Sequence, residues 1–392
     1  MCRIPSLALR YFKLWVLCSC ALARPSEHTS EHRQIEEPLS NATIADVPIK
    51  PWCDRAMVAS DSLDRGEWHL SKAGFTFELA RCRLKRPSAS RARACLKDRH
   101  LMLIGDSVSR YMYLTLAMFL STGEWETDET LADGSQGSIC HERSFGVGRG
   151  KKPAMYRAHW RTYYSETNRR IRGNGSEVCD CYRDRCCGDS ASEMTENRYT
   201  YVAGGRLTFI NQMSSPSWHI HGHVTPAAAS WEAASASLDC TPGACNATSR
   251  WSEDLSTFVR STLPKANVTD IVMNWGHHWS PDMVPARKTD AIFAGVAAAV
   301  RAGGAGPFWR TTTMLRNGKK TMHGAQLAQP EALAAARRHN IGVLDFLGVT
   351  RQLRALVPQQ HSAAFYQFDD VHYVCSVNRE LNYILLNRIC VL

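Results

Sequence analysis

The sequence predicts an α/β protein in which helices cover both faces of a mostly parallel β-sheet. Three observations support this fold class. Short apolar runs recur along the chain, Ala-rich helical stretches separate them, and no internal repeat interrupts the pattern. Strands that alternate with helices favour parallel pairing, and strands buried on both faces need helices above and below them. We therefore expect a three-layer α/β/α sandwich, and a chain of 392 residues can supply one large core.

The predicted strands are the apolar runs themselves. They span residues 101–104, 207–210, 271–273, 307–310 and 341–346. Helices are predicted where apolar residues recur at helical spacing or where alanine dominates. They span residues 108–120, 286–301, 328–339 and 376–388.

The chain divides into four predicted segments. Residues 1–23 indicate a secretory leader, because basic residues precede an apolar stretch that ends in Ala-Leu-Ala. A short uncleaved signal anchor is the alternative. Residues 24–50 are polar and predict a flexible stem, and residues 51–392 form the globular domain. Within that domain, residues 121–205 are rich in Gly, Arg and Cys and indicate a disulfide-tied insertion.

Glycosylation sequons and cysteines point to the same compartment as the leader. The sequons begin at Asn41, Asn174, Asn246 and Asn267. Three of the 15 cysteines fall in the leader, which leaves an even set of disulfide candidates: Cys53, Cys82, Cys95, Cys140, Cys179, Cys181, Cys186, Cys187, Cys240, Cys245, Cys375 and Cys390. We expect the chain in the secretory pathway, either in the Golgi lumen or outside the cell.

The formal net charge of +10 is concentrated in one stretch. Residues 81–99 hold many of the excess cations, and the usual explanation of such a run is a solvated loop. A surface for acidic glycans or for an anionic acyl donor is the functional alternative. No nucleic-acid partner is expected in this compartment.

Two distant segments contain the residue types of a nucleophilic triad. Ser107 follows a predicted strand in Gly-Asp-Ser and enters a helix N-terminus, where free N–H groups favour negative charge. Its own N–H could stabilise the oxyanion formed when its hydroxyl attacks a carbonyl. His372 supplies a base, and Asp369 supplies a carboxylate that orients the imidazole. Either segment alone is also explained by ordinary helix capping, so the prediction rests on the pair.

Five blocks in a fixed order resemble the PC-esterase branch of the GDSL/SGNH hydrolase-like proteins. The blocks are Trp52-Cys53-Asp54 with Gly66-Glu67-Trp68, Leu103–Arg110, Val272–Trp279, Phe308–Thr312 and Asp369–His372. That branch includes trichome-birefringence-like polysaccharide O-acetyltransferases and the lumenal domain of sialate O-acetyltransferases. The resemblance implies an SGNH-type sandwich with Ser107 as nucleophile, His372 as base and Asp369 as its partner. It also implies that Asn274 donates to the oxyanion hole beside the Ser107 N–H.

Some positions depart from the resembled pattern or leave alternatives. Asp370 replaces the Cys that plant members carry after the catalytic Asp, so it competes with Asp369 as the partner of His372. The predicted substrate contacts are Arg110, Trp275, His277 and Arg310, although core packing or ion pairing would explain each of them.

Metal binding is an alternative interpretation of two motifs. The segment His219–His223 places three imidazoles at alternate positions, and the cysteines of residues 179–187 resemble a zinc knuckle. Neighbouring Pro216 and Gly222 favour a loop for the first motif, and an oxidising compartment favours disulfides for the second. No metal and no bound cofactor are expected.

The sequence therefore predicts an enzyme that transfers an acetyl group through an acyl-serine to a hydroxyl of a glycan or polysaccharide. A glycan O-acetyl esterase is the first alternative, and a non-catalytic glycan-binding protein of the same fold is the second. The acetyl donor is a co-substrate of unknown identity. Because no multi-pass membrane domain is evident, a membrane-bound partner is a candidate supplier of that donor. Nothing in the sequence defines the oligomeric state.

Overall fold

The computed structural model describes residues 50–59, 63–71, 74–126, 169–171, 173–174, 177–181, 197–211, 219–223, 250–277, 286–300, 304–315, 329–356 and 371–390. In several strands, including residues 177–181 and 219–223, only the backbone is described. Residues from Ile49 to Leu392 belong to one compact unit.

The strands of the described residues form one large sheet and two hairpins. They are β1 Gly66–Ser71, β2 Gly74–Leu79, β3 His100–Gly105, β4 Glu177–Cys181, β5 Asn197–Val202, β6 Gly205–Asn211, β7 His219–His223, β8 Arg250–Asp254, β9 Asp270–Met273, β10 Gly306–Arg310 and β11 Gly342–Leu344. The large sheet has the order β11-β10-β9-β3-β6-β5-β4. Its first five strands pair in parallel, and β5 and β4 add antiparallel to β6. The predicted parallel α/β sheet is confirmed at this level.

The helices follow the strands in the expected alternation. They are α1 Arg55–Ala59, α2 Ala89–Leu96, α3 Ser107–Thr122, α4 Leu255–Thr257, α5 Ala286–Ala299, α6 Pro330–Arg338, α7 Phe346–Leu356 and α8 Cys375–Ile389. A π-helical turn, Phe258–Thr262, and a 3-10 turn, Leu263–Ala266, continue α4. The helices predicted at residues 108–120, 286–301, 328–339 and 376–388 thus agree with the structure to within two residues at each end.

The sheet has an apolar core on each face, as the alternation of β3 shows. Leu101 and Leu103 belong to a core shared with α2, α3, α7, α8 and the β1–β2 hairpin. Met102 and Ile104 point to the other face and belong to a core shared with α4, α5 and α6. Every residue of β3 is buried. Because both faces are covered, near-continuous apolar runs were the correct signal for these strands.

The end of the run at residues 341–346 was predicted wrongly. The strand ends at Leu344, and a helix begins at Phe346. Asp345 causes the change, because its carboxylate accepts a hydrogen bond from the Gly348 N–H at 3.1 Å and its carbonyl accepts one from the Val349 N–H at 3.2 Å. An aspartate that caps a helix overrides the apolar run that continues past it.

The predicted insertion contributes to the main sheet in its described part. Strands β4 and β5 lie within residues 121–205 and extend the sheet beyond β6. The side chains of Cys179 and Cys181 and the whole of Cys140, Cys186 and Cys187 lie outside the description. The disulfide ties of this segment therefore stay a prediction.

Two disulfides are described, and both fix the periphery of the domain. Cys53 bonds to Cys82, and Cys95 at the end of α2 bonds to Cys390 after α8. Cys375 is disulfide-bonded as well. The candidates Cys240 and Cys245 lie outside the described residues.

Two of the predicted sequon asparagines are exposed. They are Asn174 and Asn267, whereas Asn41 and Asn246 lie outside the description, as do the leader and most of the stem. Among the described helices, none combines the length and the apolar character needed to cross a bilayer.

Candidate active site

The N-terminus of α3 places Ser107 at the carboxyl end of the central strand β3. Strand β3 lies between β6 and β9, so the connections leave it in opposite directions. Such a switch point leaves a crevice outside the carboxyl ends of the strands. Gly105 permits the tight turn, because a Cβ at this position would lie 2.2 Å from the Ser109 Oγ.

Asp106 determines where α3 begins. Its carboxylate accepts hydrogen bonds from the Val108 N–H at 3.1 Å and the Ser109 N–H at 3.3 Å, and its carbonyl accepts one from the Arg110 N–H at 3.0 Å. Because the first N–H groups of a helix lack intrahelical partners, the carboxylate satisfies two of them, the Arg110 N–H begins the intrahelical bonds, and that of Ser107 is left. The Ser107 N–H is therefore the free donor of the first turn within the described part of the chain.

Ser107 and His372 meet in the structure although 265 residues separate them. The His372 Nε2 lies 2.7 Å from the Ser107 Oγ, which is hydrogen-bonding distance. The Tyr111 ring, one turn along α3, contacts the imidazole edge-on with 5.1 Å between ring centroids. Ser107 is buried and His372 is half-buried, so the pair is accessible to solvent mainly through the imidazole.

The segment after His372 is anchored firmly to the core. The Tyr373 hydroxyl donates to the Met314 carbonyl. The Asn378 side chain donates to the carbonyls of Tyr373 at 3.0 Å and Val374 at 3.2 Å. The imidazole therefore approaches Ser107 from a rigid helix start. Asp369 and Asp370 lie outside the described residues, so their predicted roles are not seen here.

A buried arginine joins three strand ends behind the serine. The Arg310 Nη2 lies 2.7 Å from the Asn274 Oδ1, 2.8 Å from the Ser109 Oγ and 3.3 Å from the Asp106 Oδ1. Burial lowers the pKa of the Arg310 guanidinium, and the Asp106 carboxylate opposes that shift. The ion pair is almost completely buried, so Arg310 holds the start of α3 onto β9 and β10.

Asn274 lies directly after β9, and its amide is occupied. Its Nδ2 donates to the Arg310 carbonyl at 2.8 Å and to the Thr312 Oγ1 at 3.1 Å. Both N–H bonds are used by these two acceptors. Asn274 would have to exchange one of them to donate to an oxyanion, so its predicted role stays a prediction.

Gly276 brings the loop after β9 against the helix cap. Its φ is +71°, and a Cβ there would lie 2.5 Å from the Asp106 side chain. This close approach lets the His277 N–H donate to the Asp106 Oδ2 at 3.0 Å. Glycine is required here because other residues have neither the conformation nor the space.

The four predicted substrate contacts, Arg110, Trp275, His277 and Arg310, are all buried, and their contact with a substrate stays a prediction. Trp275 packs against Phe293 and Trp309 in the core beneath α5. The His277 Nε2 lies 3.3 Å from the Thr313 Oγ1, and Arg110 lies over the Tyr111 ring at 5.2 Å. Together with Arg310, these side chains belong to the buried interior of the described part of the domain.

Sequence reasoning missed Asn211, the last residue of β6. Asn211 pairs in register with Gly105, two residues before Ser107, and is 2% exposed. Neither atom of its amide has a hydrogen-bond partner. A buried amide without partners costs about 1–3 kcal/mol, so its presence beside the crevice calls for a ligand or a functional reason. A polar residue at the end of a buried strand was the available signal.

Metal binding receives no support from the described side chains. Among them, no three His, Cys, Asp or Glu residues form a group that could hold a metal ion. The His219–His223 segment is strand β7, in which only the backbone is described.

A scan of protein-family models finds no match to this chain, and a search of curated proteins finds none either.

Proposed function

We propose that this protein is a serine-dependent carbohydrate O-acetyltransferase with an SGNH-like fold of the PC-esterase type. The observation that carries the proposal is the 2.7 Å contact between the Ser107 Oγ and the His372 Nε2 at a helix N-terminus. A serine so placed is paired with a base, and its backbone N–H faces the position where negative charge develops. The five blocks that resemble PC-esterases support the choice of substrate class.

The proposed reaction has two acyl-transfer steps. First, the Ser107 Oγ attacks the acetyl carbonyl of the donor while His372 takes the hydroxyl proton. The tetrahedral intermediate then expels the donor's leaving group, which receives that proton, and an acetyl-serine remains. Second, a sugar hydroxyl gives its proton to His372 and attacks the acetyl-serine. Collapse releases the acetylated sugar and returns the proton to Ser107.

The remaining roles follow from the charges that these steps create. The imidazole becomes cationic in each step, and Asp369 is the proposed carboxylate that stabilises it. The oxyanion would accept a hydrogen bond from the Ser107 N–H, and the positive end of the α3 helix dipole would stabilise its charge. Asn274 is the proposed side-chain donor, once it releases either the Arg310 carbonyl or Thr312. Positioned donors of this kind contribute about 3–4 kcal/mol each to transition-state stabilisation.

The first experiment tests whether Ser107 is a nucleophile. The purified chain is incubated with a fluorophosphonate probe, which labels activated serines covalently. We expect labelling of the natural chain and its loss in Ser107→Ala and His372→Ala. Ser90→Ala and His69→Ala are matched controls on the exposed surface and should label normally. Labelling that survives Ser107→Ala would remove the enzyme proposal.

The second experiment separates transfer from hydrolysis. The chain is supplied with p-nitrophenyl acetate as a generic acetyl ester and with neutral or acidic oligosaccharides as acceptors. Transfer predicts acetylated oligosaccharide by mass spectrometry, at a yield that rises with acceptor concentration. If free acetate is the sole product at every acceptor concentration, the protein is an esterase and the transferase proposal is wrong.

A further inference from the structure

A basic pocket lies on the α2 and α8 side of the domain, away from Ser107. It has a volume of about 380 Å³ and is lined by Trp52, Lys85, Arg86, Pro87 and Arg91. This volume lies at the lower end of the range of small-ligand sites. We call it the Trp52 pocket.

The walls of the Trp52 pocket are fixed to the core. The Cys53–Cys82 disulfide joins its two chain segments, and the backbones of Trp52 and Arg83 pair in an isolated parallel β-bridge. Asn387 of α8 binds both backbone polar groups of one residue, since its Oδ1 accepts from the Lys85 N–H at 3.0 Å and its Nδ2 donates to the Lys85 carbonyl at 2.7 Å. A site fixed in this way loses little conformational entropy when a ligand binds.

The charges around the pocket are mostly positive. Buried Glu380 accepts hydrogen bonds from Arg86 at 2.8 Å and from Arg379 at 3.1 Å, so one carboxylate is shared by two guanidinium groups. Lys85 and Arg91 add two further cations to the lining. The surplus creates a positive potential that attracts anionic groups.

An exposed indole lies beside these cations. The Arg83 guanidinium lies 4.3 Å from the centre of the Trp52 ring, yet 54% of Trp52 remains exposed. The nearest acid in sequence, Asp54, accepts a hydrogen bond from the Met57 N–H at 2.6 Å at the start of α1. An exposed indole next to cations suits a ligand that combines an apolar ring face with an acidic group.

We propose that the Trp52 pocket binds an acidic residue of a polysaccharide chain, with the sugar face on Trp52 and its carboxylate or sulfate against Lys85, Arg86 and Arg91. An inorganic anion would leave the indole without a role. The choice of a saccharide rests on the proposed function, and the pocket deepens it by assigning the acceptor a negative charge.

The attachment of the pocket to α8, the helix that follows His372, suits a polymeric ligand. Helix α8 begins three residues after His372, and its residues Glu380 and Asn387 lie against the pocket. At 1.5 Å per residue these positions are about 8 and 18 Å along α8 from Cys375. A polymer chain can contact both sites, and its remote contacts would hold the reacting sugar near Ser107.

The test measures binding by Ser107→Ala protein, so that no reaction consumes the ligand. Calorimetry compares a hexagalacturonate, which carries carboxylates, with a heparin hexasaccharide, which carries sulfates, and with neutral xylohexaose. We expect one acidic probe to bind at least tenfold more tightly than the neutral one. We expect Trp52→Ala and the double variant Lys85→Ala/Arg91→Ala to weaken that binding at least tenfold. The double variant Arg337→Ala/Arg338→Ala removes the same charge from exposed α6 and should bind normally.

Three results would overturn the proposal. They are unchanged binding in the pocket variants, an equal loss in the α6 control, and equal affinity for single-stranded oligothymidylate. Thermal unfolding of each variant verifies that it is folded. Fluorophosphonate labelling of the natural chain tests the other site independently. Absent labelling with intact binding of an acidic probe contradicts the proposed function alone, and normal labelling with equal affinity for acidic and neutral probes contradicts the pocket alone.

Discussion

Replacement of Arg310 by methionine tests the buried network behind Ser107. The substitution removes three contacts of one Nη2 atom, to Asn274 at 2.7 Å, Ser109 at 2.8 Å and Asp106 at 3.3 Å. Removal of one partner from a buried ion pair costs about 3–5 kcal/mol. Asp106 keeps the N–H groups of its own helix and of His277, and methionine refills most of the volume. We therefore expect a loss of about 3 kcal/mol in the free energy of unfolding.

The assay is urea denaturation, together with the rate of fluorophosphonate labelling. Arg338→Met is the control, because Arg338 pairs with Asp290 on the exposed surface and should contribute less than about 1 kcal/mol. A double-mutant cycle with Asp106→Asn should give a coupling energy above about 1 kcal/mol, since the two residues share the network. A loss below about 1 kcal/mol for Arg310→Met, or a coupling energy near zero, would refute this account of the site.

Three further predictions concern neighbouring features. The pKa of buried His100 is lowered to about 3 from 6.5, chiefly by burial, so the unfolded chain takes up a proton that the native state does not. The free energy of unfolding should therefore keep its full value above pH 6.5 and fall by about 1.4 kcal/mol per pH unit below it. Urea midpoints measured at pH 7, 6 and 5 should fall less steeply with pH in His100→Gln than in the natural chain. Gly276→Ala should cost more than about 2 kcal/mol in the same assay, whereas Gly173→Ala, which has open space around its Cβ position, should cost far less. Asn211→Leu should keep or raise the unfolding free energy while it slows acetyl transfer at least tenfold, and unchanged transfer with lower stability would contradict a role in ligand binding.

The strands and helices were predictable where a single periodicity dominates. The apolar runs at residues 101–104, 207–210 and 271–273 correspond to strands buried on both faces. The β1–β2 hairpin was missed although Phe75, Phe77 and Leu79 alternate with less buried residues along β2. That period-two signal is short, and no turn dipeptide of the usual hairpin type accompanies it.

The candidate site was predictable only in its Ser107–His372 pair. Ser107 and His372 were found because strand, turn and helix signals flank them, and the structure brings them together. The network of Asp106, Asn274 and Arg310 joins residues up to 204 positions apart. Such contacts depend on the register of neighbouring strands, which one sequence does not reveal. The sequence therefore left Arg310 between a substrate contact and an ion pair, and the structure shows its buried pairing with Asp106.

The Cys95–Cys390 disulfide has a consequence for when the site can form. It closes a span of 295 residues and connects the helix that precedes β3 to the chain after α8. His372 can reach Ser107 only after α8 has been synthesised and docked on α3. During synthesis the serine therefore exists for most of the chain's elongation without its base. The order of residues delays the Ser107–His372 contact until translation has passed residue 390, and oxidation of that cysteine pair would then retain the completed arrangement.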